Sequence, residues 1–189
     1  MTGGKLEVQG QVQVLTGNGK GKTTCALGAG LRAAGHGLEV LMICFMKAKV
    51  AWRGDGSDIN YGEFRTTDMI PNFTIIPVGR SSFVNKDNPD PIDIELAQKG
   101  LRMAQEALRE HKCDVLILDE INVAVEWNLI SVEDQLELIR MKPPDVELIM
   151  TGRYARQEVI DAADLVTEMR EIKHYYATKK LMARRGFEY

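Results

Sequence analysis

The stretch "VLTGNGKGKTTCALG", residues 14–28, decides how the rest of the chain is read. It opens as an apolar strand and passes through Gly17, Gly19 and Gly21, with Lys20 and Lys22 between and after them. It closes in an Ala- and Gly-rich run that reaches Gly37. A phosphate-binding loop needs this order of strand, flexible bend and helix N-terminus. Backbone N–H groups of the bend turn inward onto an anion, and the helix terminus adds its partial positive charge. The usual pattern is Gly, four residues, then Gly-Lys-Ser/Thr. Gly21, Lys22 and Thr23 match its end, whereas Thr16 takes the leading position and Gly17 and Gly19 supply the conformational freedom. The expected cradle is therefore Gly17, Asn18, Gly19, Lys20, Gly21, Lys22, Thr23 and Thr24, with Lys22 charging the phosphates and the Thr23 hydroxyl on Mg²⁺. Read instead as a plain glycine-rich turn, the segment would owe its strand, its lysines and its helix to coincidence.

Outward from this loop, short apolar runs alternate with helical patterns, which predicts an α/β fold with helices flanking a mostly parallel sheet of about six strands. With the loop, this is a single P-loop NTPase domain of RecA-like architecture over residues 1–189, preceded by a short arm at 1–10. The strands are read at Val12–Thr16, Glu39–Phe45, Phe73–Val78, Asp114–Leu118, Glu147–Thr151 and Leu165–Met169. Most alternate little, as expected where both sheet faces are covered. Asp90 and Pro91 start a helix over Ile92–His111, with Ile94, Ala97, Leu101, Ala104 and Leu108 as its sheet-facing stripe. Ser131 caps the next helix, which stops before Pro143, and Ala155–Ala163 forms a shorter one. Residues 47–72 and 79–91 are long polar connections at the carboxyl ends of strands, where open α/β sheets hold ligands, so both are read as active-site loops rather than surface decoration.

The run "DVLILDE", 114–120, ends an apolar strand in Asp119 and Glu120. After a phosphate loop, acids at such a strand end manage the magnesium, so Thr23, Glu120 and Asp119 form the expected metal set. The same pair could orient a water for hydrolysis, or merely cap a helix starting near Ile121. Net charge is −3, which argues against a duplex-nucleic-acid binder and for small-molecule chemistry. Cys25, Cys44 and Cys113 lie apart among apolar residues and read as buried free thiols of a reducing compartment. No signal peptide or apolar run of membrane-spanning length is visible, so the expectation is a cytoplasmic enzyme with neither membrane nor nucleic-acid partner. His36, His111 and His174 are scattered and read as surface or core residues, and no strong protein nucleophile stands out.

Taken together, "VLTGNGKGKTT", "LRAAGHG", "DVLILDEIN", "MTGRYARQEVIDAADLVTEMREIKH" and the terminal "KKLMARRGFEY" resemble the ATP:corrinoid adenosyltransferase family of P-loop type. The likeness runs in order from about residue 11 to the C-terminus and is weak over 48–90. It implies transfer of the 5′-deoxyadenosyl group of ATP to Co(I) of cobalamin or a precursor such as cob(I)yrinic acid a,c-diamide, with release of triphosphate. Reduced cobalt is then the nucleophile, and the protein positions the reactants and stabilises charge. Carried onto this chain, Lys22 and Glu120 become catalytic, Gly17–Thr24 hold the phosphates, and Thr23 with Glu120, joined by Asp119, holds Mg²⁺. The family further implies a reductant or flavoprotein electron donor and a homodimer. Relatives often carry a Gly-Phe-Thr-Trp stretch whose aromatics displace the lower ligand of cobalt. Here "VGRSSFVN" keeps Phe83, with Val84 or Asn85 in place of the tryptophan, so Phe83 is the candidate for that role. Many relatives also have an N-terminal helical lid; this chain begins about ten residues before its first strand, so that lid is expected to be absent or supplied otherwise. Two other readings stay open: a P-loop ATPase or kinase using Glu120 as base, and a carrier that binds nucleotide or corrinoid without turnover.

Overall fold

The computed structural model describes residues 9–49, 51–52, 58–59 and 61–189. Most of the expected N-terminal arm, and residues 50, 53–57 and 60 of the 47–72 connection, lie outside these. Six strands form one sheet: β1 (Val12–Thr16), β2 (Val40–Phe45), β5 (Phe73–Val78), β6 (Val115–Asp119), β7 (Glu147–Thr151) and β8 (Leu165–Glu168). Their order is β5-β2-β6-β7-β1-β8, and every pairing is parallel. Between β2 and β5 the dipeptides β3 (Ala51–Trp52) and β4 (Asp58–Ile59) pair antiparallel, followed by helix α2 (Gly62–Thr67).

The central strand shows why the apolar runs do not alternate. Val115 and Ile117 of β6 join a core with Ala26, Phe64 and Phe73, while Leu116 and Leu118 join a second core with Ala97, Leu101 and Leu138. Helices α1 (Lys22–Gly35) and α2 cover one face, and α3 (Pro91–Arg109), α5 (Val132–Met141) and α6 (Gln157–Ala162) cover the other. Each such Leu or Ile, taken fully from water, contributes about 1.5–3 kcal/mol before entropy is counted. Helix α1 presents Ala26, Gly30 and Ala34 at a spacing of four. A Cβ at Gly30 would lie 2.8 Å from the Phe73 ring, so the missing side chain sets how closely α1 approaches the sheet.

Helix punctuation follows local chemistry. Pro91 occupies the first turn of α3, and the Asp93 carboxylate accepts the Asp90 N–H at 3.3 Å. Ser131 Oγ accepts the Asp134 N–H at 3.0 Å and opens α5. The expected stripe of α3 holds for Ala97, Leu101, Ala104 and Leu108, but Ile94 is 39% exposed because it lies in the first turn, beyond the edge of the sheet's cover. Cys44 and Cys113 are buried as expected; Cys25 is exposed, on the flank of α1 away from its Ala26–Gly30–Ala34 stripe. Two short helices escaped the sequence reading, α2 within the 47–72 connection and α7 (Tyr175–Lys179); α4 (Ile121–Glu126) starts at Ile121, where a helix was expected. Among the described residues no helix is long and apolar enough to cross a membrane.

Candidate active site

All six strands of the sheet point their carboxyl ends the same way, and the chain bends there into a cavity of about 520 Å³, a size suited to a nucleotide. Its floor is the loop between β1 and α1. Asn18 to Thr24 line it, and Gly21, at φ 112°, turns the chain into α1. Lys22 Nζ donates to the carbonyls of Gly17 (2.7 Å) and Gly19 (2.8 Å), bridging the bend from within. Burial lowers the Lys22 pKa, with Glu120 pulling it back up. The Gly19 N–H donates to Met169 O at 2.6 Å, so this amide ties the loop to the chain leaving β8.

Facing the loop is the acid pair. Asp119 ends β6 fully buried; its Oδ1 accepts the Thr151 hydroxyl at 2.7 Å and its Oδ2 accepts Lys47 Nζ at 2.7 Å. Glu120 adopts a left-handed backbone, φ 62°, and its N–H donates to the same Thr151 hydroxyl at 3.0 Å. Its side chain makes no capping bond to α4, which removes the capping alternative, and it lines the cavity instead. Burial raises the Glu120 pKa, Asp119 raises it further, and Lys47, Lys22 and Arg153 oppose the shift. Lys47 also loses solvation on burial, yet Asp119 overrides that loss and its pKa rises.

Arg153 enters the wall after β7 from a tight turn in which Gly152 and Tyr154 both have positive φ. Lys20, Lys22, Lys47 and Arg153 thus meet Glu63, Glu120 and Glu188 around one cavity, with Lys47 already paired to Asp119 and Lys20 to Glu188. Among the described residues no group of three or more His, Cys, Asp or Glu could hold a metal by itself. Thr23 and Glu120, expected to hold Mg²⁺, are both hard oxygen donors on this wall, which fits an ion shared with phosphates rather than a closed protein cage. Tyr61, Gly62 and Thr66 add to the wall around α2, and the C-terminal segment closes it with His174 and Gly186–Tyr189. Glu188 anchors this segment by accepting from the Tyr175 hydroxyl and the Arg184 N–H (2.6 Å) and by pairing with Lys20 at 3.3 Å.

Over residues 8–189 the chain matches the family described as ATP:corrinoid adenosyltransferase BtuR/CobO/CobP. It belongs to that family. A corrinoid adenosyltransferase of Sinorhizobium sp is 30% identical over 186 residues, 98% of this chain and 83% of the relative. Corrinoid adenosyltransferase CobA of Salmonella typhimurium is 29% identical over 187 residues, covering 97% and 87%. A KaiC-like protein of Pyrococcus horikoshii OT3 superposes with a TM-score of 0.50 at 16% identity, covering 87% of this chain and 74% of its own, and shares the P-loop fold.

For this member of the ATP:corrinoid adenosyltransferase family, the structure brings together Asn18–Thr24 and Glu120 at one cavity. Gly17 contributes its carbonyl to Lys22 from beneath. Asp119 is turned away from the cavity, and Phe83, 86% exposed, stands outside it. Arg80 ties that Phe83 segment down, bonding Asp93 through Nε at 2.7 Å and Nη2 at 2.8 Å. Sequence reasoning missed Lys47, Tyr61 and Arg153, and placed His174 away from the site. For Lys47 and Arg153 a signal existed: both directly follow strands at the carboxyl edge of the sheet. Tyr61 falls within the 47–72 connection read as an active-site loop, though it was not singled out; His174 carried no signal, since it reaches the cavity only because the C-terminal segment folds over it.

Proposed function

We propose that the chain catalyses transfer of the 5′-deoxyadenosyl group of ATP to the reduced cobalt of a corrinoid, cobalamin or a precursor such as cob(I)yrinic acid a,c-diamide. The observation that carries this reading is the cavity that gathers Lys20, Lys22, Arg153 and Glu120 at the phosphate loop of a chain in this family. In the step proposed, the Co(I) electron pair forms a bond to C5′ of the ribose. The C5′–O5′ bond breaks, and its electrons leave on the oxygen of triphosphate. No proton moves, so the wall needs cations rather than a general base. Lys22 exchanges its carbonyl partners for phosphate oxygens, while Lys20 and Arg153 lie within the wall to share the departing charge. Thr23 and Glu120 would hold Mg²⁺, which would supply further neutralisation of the leaving group. A reductant or flavoprotein prepares the cobalt, Phe83 contacts the corrinoid, the enzyme works in the cytoplasm, and a homodimer is the working form.

The raised Glu120 pKa also suits a base, which keeps the ATPase or kinase reading in play. Products decide between them. Incubation with Mg–ATP, a strong reductant and cobalamin should yield a light-sensitive cobalt–carbon bond and one triphosphate per bond formed. Phosphate or ADP as the product would reject the transferase, and binding of both substrates without turnover would make the chain a carrier.

A further inference from the structure

Lys47 reaches the site by a built route. β2 ends at Phe45, and Met46 takes a left-handed backbone (φ 57°) while its N–H donates to Val78 O at 3.2 Å. Gly79 packs against this bend so closely that a Cβ there would lie 2.5 Å from the Lys47 nitrogen. The bend carries Lys47 sideways across the neighbouring strand, where Cys44 is in register with Asp119. Its ammonium lies 2.7 Å from Asp119 Oδ2, with the Tyr61 ring centroid 5.2 Å away. From there the bonds continue: Asp119 Oδ1 to the Thr151 hydroxyl, and that hydroxyl to the Glu120 N–H. Both oxygens of a fully buried carboxylate are occupied, one of them by a charge. Turning Asp119 to a metal would leave a lysine unpaired at a site where such losses are costly.

We propose that Lys47 is a positioning residue. It engages Asp119 so that this aspartate braces the left-handed backbone of Glu120, leaving Glu120 as the member of the acid pair that faces Mg–nucleotide. The inference rests on reading the cavity as a Mg–ATP site, but not on the cobalt chemistry.

The test is a double-mutant cycle of Lys47→Gln and Asp119→Asn, read by melting temperature and by the dissociation constant of Mg–ATP. K47Q leaves a buried carboxylate without its counter-charge and should lower the melting temperature and weaken Mg–ATP at least about tenfold. Adding D119N puts an amide where each charge stood and should restore the affinity to within about threefold of wild type. If the double variant binds as poorly as K47Q, Lys47 acts on the phosphates themselves and the proposal fails. If D119N alone makes ATP binding independent of Mg²⁺, Asp119 is a metal ligand and the proposal also fails. Should K47Q not fold, Lys47→Arg, which keeps the charge, must bind Mg–ATP better than Lys47→Met. These readouts need no corrinoid, so a wild-type protein that forms no cobalt–carbon bond would sink the proposed reaction and leave this result standing.

Discussion

Lys22 is both the most legible residue of the site and the one whose surroundings no sequence pattern describes. Its place in Gly-Lys-Thr marks it as a phosphate ligand, yet its ammonium spans the carbonyls of Gly17 and Gly19. The same contacts that keep a nearly buried lysine satisfied hold the bend open around it. Lys22→Ala removes charge-assisted bonds worth about 1.5–3 kcal/mol each, so ATP affinity should fall about 10- to 100-fold, and the melting temperature should fall as well because the Gly17 and Gly19 carbonyls lose their donor. Isothermal titration with Mg–ATP, alongside a thermal melt, checks both halves. Glu120 was legible as an acid after a strand, but its separation from Asp119 was not: Thr151 at the end of β7 and Lys47 in the bend after β2 both engage the aspartate.

At the level of elements, the C-terminal segment turns a string of basic and aromatic residues into a wall. Glu188 is its hub. Its pKa is lowered to about 2, first by the Tyr175 hydroxyl and then by Arg184. A carboxyl group depressed in the folded state contributes order that is complete above its ordinary value and lost as pH falls through the depressed one. The segment should therefore stay docked at mildly acidic pH and loosen only as pH approaches about 2. A carboxylate NMR titration should place the Glu188 midpoint there, and Glu188→Gln should speed carboxypeptidase digestion of the tail at neutral pH. An ordinary midpoint near 4, or digestion unchanged in the variant, would show that this hub does not hold the segment. The helices divide similarly: α3 and α5 announced themselves through Asp90-Pro91 and Ser131, whereas α7, five residues long, is too short for a period to show.

For the whole molecule, the arrangement predicts linkage between ligand and stability. A ligand of the cavity touches the loop after β1, the acid after β6, the turn after β7 and the C-terminal segment, all of which come apart on unfolding. Saturating at about a hundred times its dissociation constant, Mg–ATP should stabilise the chain by about 2.7 kcal/mol. For a chain of this length that raises the melting temperature by about 5–11 °C. Inorganic triphosphate should give a comparable rise, because the cations address phosphate rather than adenine. A rise with adenosine and none with triphosphate would misplace the cradle.

By itself the sequence determined the strands, the covered sheet, the phosphate loop and the acid that answers it. Each of these is written in contiguous residues, through composition, period or a fixed local spacing. Only the tertiary structure decided which acid faces the cavity, that Lys47 pairs with Asp119, that Phe83 stands apart from the loop, and that the C-terminus joins the wall. Those depend on which strands lie side by side, and the order β5-β2-β6-β7-β1-β8 sets Lys47 beside Asp119, 72 residues away, and Thr151 beside them, 32 residues from Asp119. Side-chain bonds across a parallel sheet join residues that no local pattern can pair.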